Sequence, residues 1–121
     1  MSARLVPLRG TPARLVKALA RLACGPGAMP IFPMLIVEDI TTKPWSSATF
    51  DGERHRIELR LHGSADEIGD ALDRLIILLP DAEFDLPGEI VAQAKLVALC
   101  VDPDPNVAAL ALVVEILTVT D

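Results

Sequence analysis

Residues whose types and spacing could do chemistry are few in this sequence. Its two histidines, His55 and His62, lie seven residues apart in a stretch of alternating polar and apolar residues. An odd separation on a strand sends the two rings to opposite faces, so they cannot hold one metal ion between them. His62 shares a face with Glu58 and Arg60 and reads as a surface histidine. A small hydrolase would need a pocket of perturbed acids around it. His55 falls in line with Ile57, which makes it either a polar end to the core face or a bulge residue. Asp66, Asp70 and Asp73 have the i, i+4, i+7 spacing that could attract a cation. Without a chelating loop, such a helix face is ordinarily just solvated. Cys24 and Cys100 are too few and too far apart for a metal or redox motif, and both sit among apolar neighbours. They are expected to be small, buried core residues, whereas thiol catalysis needs an accessible, electropositive cysteine. There is no Gly-rich phosphate loop, no Gly-x-Ser-x-Gly and no His-Glu-x-x-His. The residues therefore predict no catalytic, cofactor or metal site.

The stretch that carries both histidines is the strongest structural signal. From Arg56 to His62, Ile57, Leu59 and Leu61 alternate with Arg56, Glu58, Arg60 and His62. That period of two marks a strand with one buried face. Asp51-Gly52, just ahead of it, is where a tight reversal or a bulge is expected. Ser64-Ala65-Asp66-Glu67 then fits a capping box and opens a helix with acids in its first turns. Ile68, Leu72, Leu75 and Leu79 form its core stripe, with Ala71 and Ile76 beside them, and Pro80 ends it.

Before this stretch, residues 1–10 are expected to form a flexible arm, since Pro7 and Gly10 discourage regular structure. Thr11-Pro12 supplies an N-cap and a proline for the first helical position. Leu15, Leu19 and Leu22, widened by Val16 and Ala23, make the apolar side of a helix that stops at Gly25-Pro26-Gly27. A loop runs to Pro33. Met34 to Ile40 follows as a strand, apolar enough to suggest burial on both faces, and residues 41–47 connect it onward. After a turn region at 81–88, two strands finish the chain, Glu89 to Val101 and Val107 to Thr120, joined by the breaker-rich loop 102–106. The reading is one α+β domain spanning 1–121. Its order is α-β-β-α-β-β, with two helices and a four-stranded sheet, antiparallel or mixed.

Composition narrows the function classes. Of 121 residues, 51% are hydrophobic and 23% charged, which suits a single globular core. Aromatic residues are 3% with no Tyr, too few for a base-stacking platform. The net charge of −6 argues against a phosphate-backbone binder and direct nucleic-acid readout. Its distribution is uneven: residues 1–25 carry Arg4, Arg9, Arg14, Lys17 and Arg21 without an acid, and every acid lies at or after Glu38. A basic start and an acidic body could steer one subunit onto another as easily as protein onto DNA, and the plainer reading is a solvated helix face that happens to be basic. No apolar run is long enough to span a bilayer, and no signal-peptide pattern opens the chain. A reduced, cytoplasmic protein is the expectation.

The last strand points to self-association. Leu110, Leu112, Val114 and Ile116 take one face, while Ala109, Ala111, Val113, Leu117 and Val119 take the other, interrupted by Glu115. Two helices cannot cover both faces of such a sheet. At roughly 25 cal/mol per Å² of apolar surface, a bare second face is costly and prone to aggregate. A second copy of the chain is the expected cover. Arg54, Arg56 and Arg60 mingle with Glu53 and Glu58, a mixed pattern that fits protein contacts better than phosphate. The candidate subunit interface is therefore Arg56, Glu58 and Arg60 on the strand face, with Val113, Glu115 and Leu117 on the last strand.

At Trp45 the sequence also resembles a known family. The run Pro33 to Glu38, then Trp45, then Gly52-Glu53-Arg54-His55, then the alternating strand Arg56 to Leu61, is similar to the centre of the phage tail-completion, or tail terminator-like, family. Leu86-Pro87-Gly88-Glu89-Ile90 and Ile116-Leu117-Thr118-Val119-Thr120 stand where that family has two further phrases. The match spans residues 30 to 121, and order and spacing carry it. Met34 replaces the usual aromatic, Glu89 stands where a His is common, the helix before Gly25 is shorter than the family's, and the arm Met1 to Gly10 is not matched. The resemblance implies a virion assembly protein that caps the growing tail tube and meets the head connector as a ring of six identical subunits. It would sit in the cytoplasm during assembly and in the virion tail afterwards. It implies as partners further copies of itself, a tail tube protein and a head-connector protein, with no membrane and no cofactor. Related proteins occur in gene transfer agents. The residues by themselves also suit a small dimeric ligand-binding or regulatory α+β domain.

Overall fold

The computed structural model describes residues 10–25, 34–101 and 109–120. Residues 1–9 of the expected arm, most of the loop before Pro33 and the loop at 102–106 lie outside the described residues, while Gly10, expected in the arm, is the first residue of the first helix. The elements run α1 (Gly10–Cys24), β1 (Met34–Ser46), β2 (Asp51–His62), α2 (Ala65–Leu78), a short 3-10 turn (Leu79–Asp81), β3 (Glu89–Val101) and β4 (Ala109–Thr120). The strands form one sheet in the order β1-β2-β4-β3. All three pairings are antiparallel, so the mixed alternative falls away. The fold is α+β with the expected α-β-β-α-β-β order.

Both helices lie on one face of the sheet. Leu15, Leu19 and Ala23 of α1, and Ala71 and Leu75 of α2, are fully buried there with Ile57, Leu59 and Leu61 of β2 and Leu112, Val114 and Ile116 of β4. Aliphatic packing of this kind follows from a chain almost without aromatics, and it holds the helices by area rather than by specific contacts. Polar ties then fix their ends. The Arg74 guanidinium donates to the Ala23 carbonyl at 3.3 Å, and the Gly25 N–H donates to Arg21 at 2.9 Å from a left-handed φ of 86°. Those contacts satisfy carbonyls that the end of α1 leaves open. At α2 the capping box forms as expected: the Ser64 hydroxyl accepts from the Glu67 N–H at 3.1 Å, and the Glu67 carboxylate accepts from the Ser64 N–H at 2.9 Å.

Five expectations are corrected. β1 does not stop at Ile40 but runs through Lys43, Pro44 and Trp45 to Ser46. It is an edge strand, which is why a proline fits in it, and Ile36 is 39% exposed rather than buried on a doubly covered strand. The reversal lies at Ser47–Phe50, where the Ser47 hydroxyl accepts from the N–H groups of Thr49 and Phe50 at 3.3 and 3.0 Å. Asp51 and Gly52 already belong to β2. Ile76 is 51% exposed, because α2 turns Ala71 and Leu75 inward and Ile76, Ile77 and Leu78 outward at its last turn. Thr11 is inside α1 rather than its N-cap, and its hydroxyl donates to the Glu89 carboxylate.

Candidate functional site: the open sheet face and one polar sheet end

Register decides which side chains share the face away from the helices. Arg54, Arg56, Glu58 and Arg60 of β2 stand opposite Leu117, Glu115, Val113 and Ala111 of β4. Residues opposite one another in a ladder point to the same side, so all six expected interface residues lie on adjacent strands of one face. β3 adds Gln93, Lys95, Ala98 and Cys100, opposite Leu117, Glu115, Val113 and Ala111. No helix of the described residues covers this face. Two ion pairs lie on it within the chain: Arg56 with Glu115 at 3.4 Å, and Arg60 with Glu38 at 3.1 Å. Val113, between the ion pairs, and Leu117, beyond Glu115 and opposite Arg54, are only half-buried. The small residues Ala98 and Ala111 leave a shallow depression of about 260 Å³, flanked by Glu38, Glu58, Cys100 and Val113. Cys100 is thus exposed on the open face and not part of the core, whereas Cys24 is half-buried against the core, where burial raises its thiol above the usual range despite the Arg74 charge.

The basic side of α1 is answered within the chain. Arg14, Lys17 and Arg21 are exposed and look across a cleft of about 370 Å³ at Glu83 and Asp85. Opposed charges across one cleft remove the uniform positive field that a nucleic-acid backbone would need. His62 stands opposite Ala109 on the open face, half-buried, while His55 is fully buried on the helix face. The two rings therefore part as alternation requires, and His55 is the polar end of the core face.

Sequence reasoning missed what surrounds His55. Its Nδ1 lies 3.0 Å from the Thr42 hydroxyl and its Nε2 3.3 Å from the Thr118 hydroxyl. The Thr118 hydroxyl is also 3.1 Å from Glu89 Oε1 and 3.3 Å from the Glu53 carbonyl oxygen. A neutral ring with its proton on Nε2 satisfies the set: Thr42 donates to Nδ1, Nε2 donates to Thr118, and Thr118 donates onward to Glu89. Thr11 completes the chain by donating to the other Glu89 oxygen. Burial lowers the His55 pKa below that of an exposed imidazole, outweighing Glu53 and Glu89, which pull it up. On the opposite side of the sheet, the Trp45 indole N–H donates to the Thr118 carbonyl at 3.1 Å. A Cβ on Gly52 would fall 1.8 Å from that carbonyl oxygen and 2.8 Å from the indole nitrogen. Trp45, Gly52, His55, Glu89 and Thr118, distant in sequence, meet at this one end of the sheet. The usable signal was that Thr42 and Thr118 fall in step with His55 once the strands are paired.

No family model matches the sequence, and no curated protein matches it. Among solved structures, a chain in the virion of a native gene transfer agent (GTA) particle matches with a TM-score of 0.62. The match covers 91% of this chain and 95% of that chain at 12% sequence identity. Such low identity makes this a likeness of fold, end to end in both chains. No helix of the described residues is long and apolar enough to cross a membrane.

Proposed function

We propose that this chain is a structural subunit of a phage-like particle, and more narrowly a tail-completion protein that closes the tail tube as a ring. The observation that carries the proposal is the shared fold with a chain of a gene transfer agent virion, almost complete in both directions. The phrases around Trp45, His55 and Thr118 that resemble the tail terminator-like family support the narrower role. In this account the subunit does no catalysis. It works by shape and self-association, through a head-to-tail contact that closes on itself. The open face of β1, β2, β4 and β3 is the contact surface, with Arg56, Glu58 and Arg60 beside Val113, Glu115 and Leu117. One end of the ring meets the tail tube protein and the other the head connector.

The test is charge reversal on that face. Arg56→Glu with Arg60→Glu breaks two exposed ion pairs, each worth roughly 0.2–1 kcal/mol, so the subunit stays folded. The double variant is expected to lose its higher-order species in sedimentation while its circular dichroism and melting curve stay close to the parent. Unchanged oligomer size would remove this face from the interface.

A further inference from the structure

We infer that Glu53, His55 and Glu89 form a binding site for one divalent transition-metal ion of the zinc or manganese class, pinning β2 to β3 across β4 at the end of the sheet. This inference does not rest on the assembly role. Glu53 and His55 are two apart on β2 and share its helix-side face; Glu53 stands opposite Thr118 on β4. Glu89, at the start of β3, reaches back over Thr118 from the next strand pair. One donor atom from each of the three side chains lies within 4.8 Å of the other two. Tetrahedral ligands at zinc distances stand about 3.4 Å apart, so small side-chain rotations would close the set.

The donors select the metal. One imidazole and two carboxylates suit zinc, manganese or ferrous iron better than the all-oxygen shells of calcium and magnesium. No thiolate takes part, since Cys24 belongs to α1 and Cys100 to the open face. The electrostatics also ask for a cation. Among the described residues, neither Glu53 nor Glu89 has an ion-pair partner, and the arginine next in sequence, Arg54, points to the other side of the sheet. Two carboxylates therefore face a buried imidazole with no cationic side chain paired to either of them.

The outer partners are already in place. Thr42 at Nδ1 fixes the ring plane, as the hydrogen-bonded nitrogen of a metal-ligating histidine usually is. Binding at Nε2 needs only a change of tautomer: the proton moves to Nδ1 and is donated to Thr42, with no net release. The Thr118 hydroxyl, between Nε2 and Glu89, either becomes a fourth ligand or turns fully to the Glu53 carbonyl. Thr11 holds the second Glu89 oxygen, so the ion would also fix the start of α1.

The experiment is isothermal titration of the metal-stripped full chain with Zn²⁺ and, separately, Mn²⁺, with Mg²⁺ as the hard-cation comparison. A Cys24→Ser, Cys100→Ser background keeps zinc off the thiols. One equivalent of Zn²⁺ is expected to bind and to raise the melting temperature, with Mg²⁺ at least tenfold weaker. Glu53→Gln removes a ligand but no hydrogen bond of the network, because Glu53 enters it through its backbone carbonyl. That variant should fold like the parent and bind Zn²⁺ at least tenfold more weakly, as should Glu89→Gln. Absence of a binding heat and a melting shift with both transition metals would overturn the site. So would Zn²⁺ binding that Glu53→Gln and Glu89→Gln leave unchanged, or equal affinity for Mg²⁺.

Discussion

At the scale of single residues, the polar end of the sheet is where small changes should cost most. Gly52 has no room for a methyl group, because the obstacle is the Thr118 backbone and not a flexible side chain. Gly52→Ala is expected to destabilise the fold by about 3 kcal/mol or more, at or above the upper end of overpacking, read as a drop in the denaturant midpoint. His55 supplies a pH dependence. Its folded pKa lies below the 6.5 of a free imidazole, so the unfolded chain takes up a proton that the folded chain resists. That contribution is complete above pH 6.5 and is lost as the pH falls through the folded value. The parent should therefore lose stability on acidification below pH 6.5 more steeply than His55→Gln, although the variant is the less stable of the two at neutral pH. Denaturant curves at several pH values check this; parallel slopes would contradict it. That His55 ends the core face was legible from its phase with Ile57. Its partners were not, because Thr42, Glu89 and Thr118 lie on three other strands and only pairing brings them together.

At the scale of elements, legibility followed local chemistry. The α2 start was written in Ser64 and Glu67, whose reciprocal hydrogen bonds need only neighbouring residues. Ser64→Ala should cost about 1 kcal/mol of unfolding free energy, most of it recovered in Ser64→Asp. The β2 and β4 faces were equally plain, since an unbroken strand keeps its alternation. β3 was not plain: its register shifts between Val91 and Gln93 and again between Leu96 and Ala98, so its apolar residues change side twice. Each bulge moves the pattern by one residue, and alternation counted along the sequence then fails. Similarly, β1 reads as a buried strand because Leu35, Ile36 and Val37 are consecutive, yet it is the edge of the sheet and carries its own shift at Glu38. Edge position is a property of topology, which no single stretch encodes. Bulges on both edge strands also disrupt a flat template on which another chain could add a strand.

At the scale of the whole molecule, the helices cover one face of the sheet and leave the other open. The six residues expected to make the subunit contact were read from two separate strands, and the ladder places them side by side on that open face. Their intramolecular ion pairs set positive and negative groups side by side, so that a neighbouring copy would meet mixed charge beside Val113 and Leu117. The fold likeness to a virion chain shows that this architecture occurs within an assembled particle. Self-association is thus the central claim, and the most direct measurement of it is solution mass by light scattering over a concentration series, alone and with the tail tube protein of the same particle. The account predicts a hexamer, or a monomer that becomes hexameric when tube protein is added. A stable dimer indifferent to tube protein, or a monomer under every condition, would contradict it.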